Sequence, residues 1–339
     1  MSFLIRQTLI YAIPLMIVAL AGIFAERSGV INLALEGIMI FGAFIGVLFV
    51  RILQATGCMD IAKEASNWAA LQGYMFLTML AAAALGALFS MLLAFAAIKL
   101  KADQTIGGTA LNMLAPALVL FLIRVIVNQN NMTLISGDSA TWFMIKKTML
   151  GFAKNDKLNF FQETFLNKVY LSTYICIIIF IVLSIVLYKT RFGLRLRACG
   201  ENPQAAASLG INVIKMRYAG VLISGALAGM GGFVYAMTTA NCSSNGDVAG
   251  FGFLALAVMI FGNWKPLPIL GASLFFALFK VIAALNATLT FLPKFEGVKE
   301  ISNFYQMLPY IVTMIVLIFT SKNSQAPKAE GIPYDKGSR

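Results

Sequence analysis

The run VYLSTYICIIIFIVLSIVLY, from Val169 to Tyr188, contains no charged side chain. About 20 such residues wound as a helix match the hydrocarbon thickness of a bilayer. The next stretch has the opposite character. Between Tyr188 and Tyr218 lie Lys189, Arg191, Arg195, Arg197, Lys215 and Arg217, against the single acid Glu201. Such a basic excess beside two apolar spans marks the cytoplasmic side of a membrane protein. Similar runs recur on both sides of this one: Leu4–Phe24, Val30–Val50, Leu71–Ile98, Gly107–Val127, Tyr218–Ala240, Leu267–Leu289 and Phe304–Thr320. Phe251–Phe261 is as apolar but too short to cross, so it reads as a short or re-entrant helix whose ends protein must bury.

Composition agrees. The chain is 60% hydrophobic and only 12% charged, whereas a soluble domain is nearer a quarter charged. Its formal charge of +12 fits Lys and Arg retained in cytoplasmic loops, so no nucleic-acid partner is expected. Histidine is absent, which removes the commonest general base and metal ligand. Cys58, Cys176, Cys199 and Cys242 are too far apart for a zinc or redox motif. No metal, cofactor or catalytic residue is therefore expected. There is no GxxxxGK[ST] phosphate loop, so the chain is not its own ATPase.

Counting loops from the basic segment puts Lys99, Lys101, Lys265 and the tail 321–339 inside, and the loop of about 128–168 outside. The tail, with Lys322, Lys328, Pro327 and Pro333, reads as a short disordered end. Met1–Ala21 has Arg6, an apolar run and Ala19-Leu20-Ala21, but reads as an uncleaved first helix, since every later span is equally apolar. The same count puts the N-terminus outside, with Arg6 on the unfavoured side. That points to a missed crossing, hidden in Leu71–Ile98 or Glu26–Glu36.

Three segments carry more than hydrophobicity. Ala25-Glu26-Arg27-Ser28-Gly29-Val30-Ile31-Asn32-Leu33-Ala34-Leu35-Glu36-Gly37 places charges and an Asn between apolar runs. Charges at membrane depth face cavities or pair, and Ser28-Gly29 could break a helix so that a half-helix points its N-terminus into the bundle. A polar loop in the headgroups is the plainer reading. In Gly200-Glu201-Asn202-Pro203-Gln204-Ala205-Ala206-Ala207-Ser208-Leu209-Gly210, Asn202 can cap a short helix, Pro203 start it and Gly210 end it. A capped, Ala-rich helix on the basic side suits docking into another protein's groove. Phe251–Pro268 joins a short apolar helix to the turn Gly262-Asn263-Trp264-Lys265-Pro266, which could flank a path. Gly225-Ala226-Leu227-Ala228-Gly229 has the small residues that let helices approach closely in lipid.

Phe24–Gly37, Gly200–Tyr218, Ser224–Gly229 and Phe261–Gly271 together resemble the ABC-importer permeases shared by simple-sugar, branched-chain amino acid and nucleoside systems, nearest the nucleoside type. The likeness runs from about Phe24 to Gly271. Glu-Arg-Ser-Gly-Val-x-Asn-Leu and Gly-Glu-Asn-Pro-x-Ala-Ala are its most specific segments. It implies a permease that is not itself an enzyme, paired with a second permease as hetero- or homodimer in a bacterial cytoplasmic membrane. The implied partners are a cytoplasmic ATP-binding subunit and an extracytoplasmic substrate-binding lipoprotein. Gly200, Glu201, Asn202, Pro203, Ala205, Ala206, Leu209 and Gly210 would form the coupling helix against the ATPase. The loop 128–168 is longer than is usual in the family. The expected fold is an all-α polytopic bundle of about eight to ten transmembrane helices, with broken or re-entrant helices, over residues 1–320. A coupling loop of about 189–217 and the short tail complete it. Substrate, most simply a nucleoside, would pass near Asn32, Glu36, Phe44 and Asn112, where aromatic faces could stack a base and amides read its edge. Riboflavin or a simple sugar are alternative cargoes. An ion-coupled secondary transporter would show intramembrane acids in both halves, whereas here they cluster near Glu36. A membrane-embedded enzyme would need converging His, Asp or Ser motifs inside the spans, and there are none.

Overall fold

Apolar runs closed off by Asn, Asp, Thr and Pro set the helices. A computed structural model describes residues 2–59, 67–135, 140–145, 159–165, 167–285, 301–320 and 325–335. In chain order the helices are α1 (Ser2–Glu26), α2 (Leu35–Ala55), α3 (Trp68–Ala94), α4 (Gln104–Val127), α5 (Phe160–Phe165), α6 (Leu171–Lys189), α7 (Arg191–Glu201), α8 (Pro203–Ser208), α9 (Val213–Thr238), α10 (Phe251–Phe261), α11 (Pro266–Ala284) and α12 (Ile301–Thr320). Side-chain caps fix several starts: Asn67 accepts from the Ala70 amide, Asp103 from those of Thr105 and Ile106, and Asn212 from that of Lys215. The chain is an all-α polytopic membrane protein. Seven helices among the described residues are long and apolar enough to cross a bilayer, and α12 covers the expected last span. The only described sheet is the two-residue pair β1 (Met144–Ile145) and β2 (Val169–Tyr170), antiparallel. That pairing starts α6 at Leu171, later than the apolar run begins. The span expected to reach Leu289 ends at Ala284, and 286–300 lie outside the described residues.

Contacts sort the helix ends into two groups. At one end Arg27 meets Glu201, Ile98 just past α3 and Tyr218 pack on the same small apolar cluster, Gln104 holds the Ile31 amide, and Trp264 donates to Glu26 and accepts from Tyr188. This basic end also carries Lys99, Lys101, Lys189, Arg191, Arg195 and Arg197. At the opposite end Arg6 donates to the Asn167 carbonyl, Gln54 pairs with Ile135, and Met132 bridges to Ser244. The N-terminus therefore lies opposite the basic loops. Neither stretch suspected of hiding a crossing holds one. Residues 68–99 form one rod, prolonged past α3 by a π-helical turn, Phe95–Lys99, and 27–34 stays against α9.

Two crossings are broken. α10 has 11 residues, about 16 Å of helix, and the loop from Asn241 to Gly250 completes its passage. It does not turn back to the side it came from, so it is a discontinuous crossing and not a re-entrant one. α2 is the second: its first residues, Leu35 and Glu36, are buried inside the bundle.

α9 is the axis, packed on α1, α2 and α3. Its small residues bring backbones together: a Cβ built at Gly86 would lie 2.6 Å from the Gly225 carbonyl oxygen and 2.8 Å from the Gly229 Cα. Outer helices instead turn apolar side chains such as Met113 and Ile178 outward, as lipid requires. Gly86→Leu should lower stability by at least about 2 kcal/mol through overpacking. Thermal unfolding of the detergent-solubilised chain checks this, and an unchanged midpoint would contradict the close α3–α9 packing.

Candidate functional site

The coupling segment folds as its residues dictate. Thr190 accepts the Gly193 amide to start α7. Asn202, in extended conformation, accepts the Ala205 amide at 3.0 Å. Pro203 takes the first position of α8, where no amide is needed, and Gly210 turns the chain away with φ +80. The eight residues expected on one docking helix then divide. Asn202, Ala205, Leu209 and Gly210 are exposed, Leu209 at 81%, and Pro203 is half-buried. Ala206, by contrast, is 2% exposed and packs with Cys199 and Val213. A helix this short turns one Ala outward and its neighbour inward, so Ala206 is core and not a docking contact. Gly200 is buried against the Arg27 backbone, and Glu201 pairs with Arg27 at 3.1 Å. Gly200 thus faces the bundle, and Glu201, though exposed, reaches back to it.

They look at the segment that leads from α1 into α2. Gly29 has φ +93, and the Arg217 guanidinium, 1% exposed, lies directly over it. Beyond it side chains from α4 and α9 staple a non-helical backbone. Gln104 accepts the Ile31 amide at 2.7 Å, and Asn32 donates to Ser224 Oγ at 2.8 Å while accepting the Ala34 amide. Asn112 donates to the Leu33 carbonyl at 2.7 Å and accepts the Gly37 amide at 2.8 Å. Glu36 then reaches across to the start of α10. Its carboxylate accepts the amides of Gly250 at 3.0 Å, Gly252 at 2.6 Å and Phe253 at 3.1 Å. A carboxylate at a helix N-terminus satisfies amides that the helix leaves open and meets the positive end of its dipole.

Of the residues expected along a path, the structure thus brings Asn32, Glu36 and Asn112 together around one segment. All three bond protein groups, and Asn32 has no exposed surface. Phe44 lies two turns further along α2, buried near Phe41, which stacks on Phe89. Above Glu36, toward the end opposite the basic loops, opens a cavity of about 560 Å³ lined by Tyr11, Tyr235, Asp247, Phe251, Lys280 and Tyr310 among others. Sequence reasoning passed over it. The signal was present in Lys280, a lone charge within an apolar span. Among the described residues no three His, Cys, Asp or Glu side chains stand together as a metal site.

The tail does not behave as an unstructured end. The Gln325 amide donates to Asn263 Oδ1, the Ala329 amide to the Gly200 carbonyl at 2.9 Å, and Arg217 Nη1 to the Ile332 carbonyl at 2.9 Å. Lys101 pairs with Asp335 at 3.0 Å. The strap from 325 to 335, with a turn at 328–331, thus crosses α7, the α1–α2 segment and the buried Arg217. Composition hid this, because the strap is held by scattered backbone and side-chain contacts to distant residues and not by a run of apolar residues. Burial pushes the Glu330 carboxyl, which lies beside Glu26, up to about 7, against the opposing pull of Arg27.

Residues 4–320 match the family of permease components of branched-chain amino acid transport systems. The chain is 41% identical to the guanosine ABC transporter permease NupQ of Bacillus subtilis, across 100% of this chain and 98% of that protein. It is 39% identical to the nucleoside ABC transporter permease NupC of Lactococcus lactis, across 99% and 98%. No solved structure matches. The chain belongs to this permease family: it is a multi-pass transport subunit and not an enzyme, of a kind that works with an ATP-binding subunit and a substrate-binding protein.

The strap's attachment should depend on pH. A carboxyl raised in the folded state stabilises it fully below the ordinary carboxylate range and loses that contribution as pH rises through the raised value. A spin label at Lys328→Cys, in a Cys58→Ser background, should grow more mobile between about pH 4.5 and 7, and Glu330→Gln should flatten the profile. An equally steep profile in Glu330→Gln would show that another group controls the strap.

Proposed function

We propose that this chain forms part of the translocation path of an ATP-driven nucleoside importer in a bacterial cytoplasmic membrane. The names of NupQ and NupC, both similar across nearly their whole length, favour nucleosides as cargo. Among the described residues Lys and Arg concentrate at one end of the bundle, and the positive-inside rule makes that end cytoplasmic. An extracytoplasmic lipoprotein would then deliver cargo at the other end, and a second permease, identical or different, would complete the path.

One observation carries the mechanism: the exposed α8 is tied through Gly200 and Glu201 to Arg27, at the start of the stapled segment. An ATP-binding subunit seated on Asn202, Ala205, Leu209 and Gly210 would move α8, and Gly200 would press directly on the Arg27 backbone. Asn32, Glu36 and Asn112 would then transmit that displacement to α2 and α10. Phe44 would move with α2. Their proposed part in the path is to shift its wall, since their polar atoms already hold protein partners. ATP can drive such a change only by binding one arrangement better than the other, and hydrolysis would take place on the partner.

The test is uptake of radiolabelled guanosine, riboflavin and ribose in cells with and without this gene, before and after ATP depletion. Gene-dependent, ATP-dependent guanosine uptake is the expected result; loss of only riboflavin or ribose uptake would replace the cargo. Ala205→Trp should cut uptake at least ten-fold with normal thermal stability, because the indole projects into the docking face. Ala206→Trp should instead lower stability. Wild-type uptake by Ala205→Trp would rule out α8 as the coupling contact.

A further inference from the structure

The cavity above Glu36 has a chemistry of its own. Its wall is aromatic: the Tyr235 and Phe251 ring centroids are 4.7 Å apart, and Tyr11 lies 6.0 Å from Phe251. Tyr310 stands across from them on α12. Phe251 and Tyr235 are themselves buried, at 2% and 7% exposure, so they back the cavity, and Tyr310, 48% exposed, is the ring that offers a planar ligand a face to stack on. At about 560 Å³ the space falls within the range of small-molecule sites.

Charge decides what kind of planar ligand fits. Two features here would ordinarily hold an anion, the α10 N-terminus and the Lys280 ammonium, and both are already engaged. Glu36 takes the α10 amides. Lys280 Nζ donates to the Ala249 carbonyl at 2.7 Å and lies 5.1 Å and 5.2 Å from the Phe251 and Tyr310 ring centroids, a caged position for a cation. Asp247 lines the same space, and its Oδ1 accepts the Ala249 amide at 2.9 Å. Two carboxylates therefore face one compensated ammonium, which disfavours a phosphate-bearing ligand. Phenol and carboxylate oxygens remain suited to sugar hydroxyls and to the N–H donors of a base edge.

We propose that this cavity is a binding site within the permease for one uncharged nucleoside, with the base laid on the Tyr310 ring and Asp247 accepting from its polar edge. This rests on the nucleoside reading above. The site excludes nucleotides and discriminates poorly between bases, because stacking is available to any of them.

Photolabelling of the assembled transporter with 8-azidoguanosine, followed by peptide mapping, tests it. Label on the segments carrying Tyr235, Phe251 or Tyr310 is expected, suppressed by excess guanosine and not by guanosine monophosphate. Tyr310→Leu, at a half-exposed position that does not threaten folding, should reduce labelling at least ten-fold, whereas Tyr310→Phe should retain it. If the cells take up guanosine but the label maps elsewhere, or a phospholipid fills the cavity and guanosine does not displace it, the site is refuted and the cargo reading stands. If the cells take up no nucleoside, the cargo reading falls and this site falls with it.

Discussion

A carboxylate in the middle of an apolar bundle holds the design together. Hydrocarbon offers no partner to a free amide, so any break in a membrane helix must be satisfied by protein. Here two breaks meet. α2 starts inside the bundle and α10 starts inside the bundle, and Glu36, in the first turn of one, accepts three amides at the start of the other. Gln104, Asn112 and Asn32, the last held in place by Ser224, do the same work for the non-helical residues that lead into α2. Once those groups are matched, a non-helical backbone can persist at depth, and with it a joint that a continuous helix would lack.

The joint sits between two functional surfaces. Toward the basic end it touches Arg27, Gly200 and the returning strap, and so the outward-facing α8. Toward the other end it floors the aromatic cavity. α9 provides the fixed surface against which these parts can shift, since its glycines press against the backbones of α1, α2 and α3 at distances that leave no room for a side chain. A rigid axis, a joint built from two broken helices and a contact face outside the bundle are the parts that a solute path driven from a separate subunit requires.

Hydrophobic run length showed most of the fold, because a span in lipid has few ways to satisfy its backbone. Asn202, Pro203 and Gly210 showed the coupling helix for a similarly local reason: caps and turns depend on neighbouring residues. What stayed hidden depends on distant partners. Asn32, Glu36 and Asn112 stand out as polar residues among apolar ones, yet nothing local tells a residue that lines a path from one that staples a backbone. The outward Ala205 and inward Ala206 differ only in where Cys199 and Val213 lie. The strap from 325 to 335 is polar and Pro-containing, and distant partners, Asn263, the Gly200 carbonyl, Arg217 and Lys101, give it a place. Lys280 was legible as an anomaly, but its aromatic cage comes from α10 and α12.

The most direct measurement is thermal and chemical unfolding of the Glu36→Ala and Glu36→Gln chains beside wild type, in the same detergent. Each buried amide left without an acceptor costs about 1–3 kcal/mol. Glu36→Ala should therefore lose at least about 3 kcal/mol, with Glu36→Gln falling between, since its one carbonyl oxygen can serve some of the three amides. A Glu36→Ala chain as stable as wild type would mean that the α10 N-terminus finds other partners, and that the two broken helices are not joined through this carboxylate.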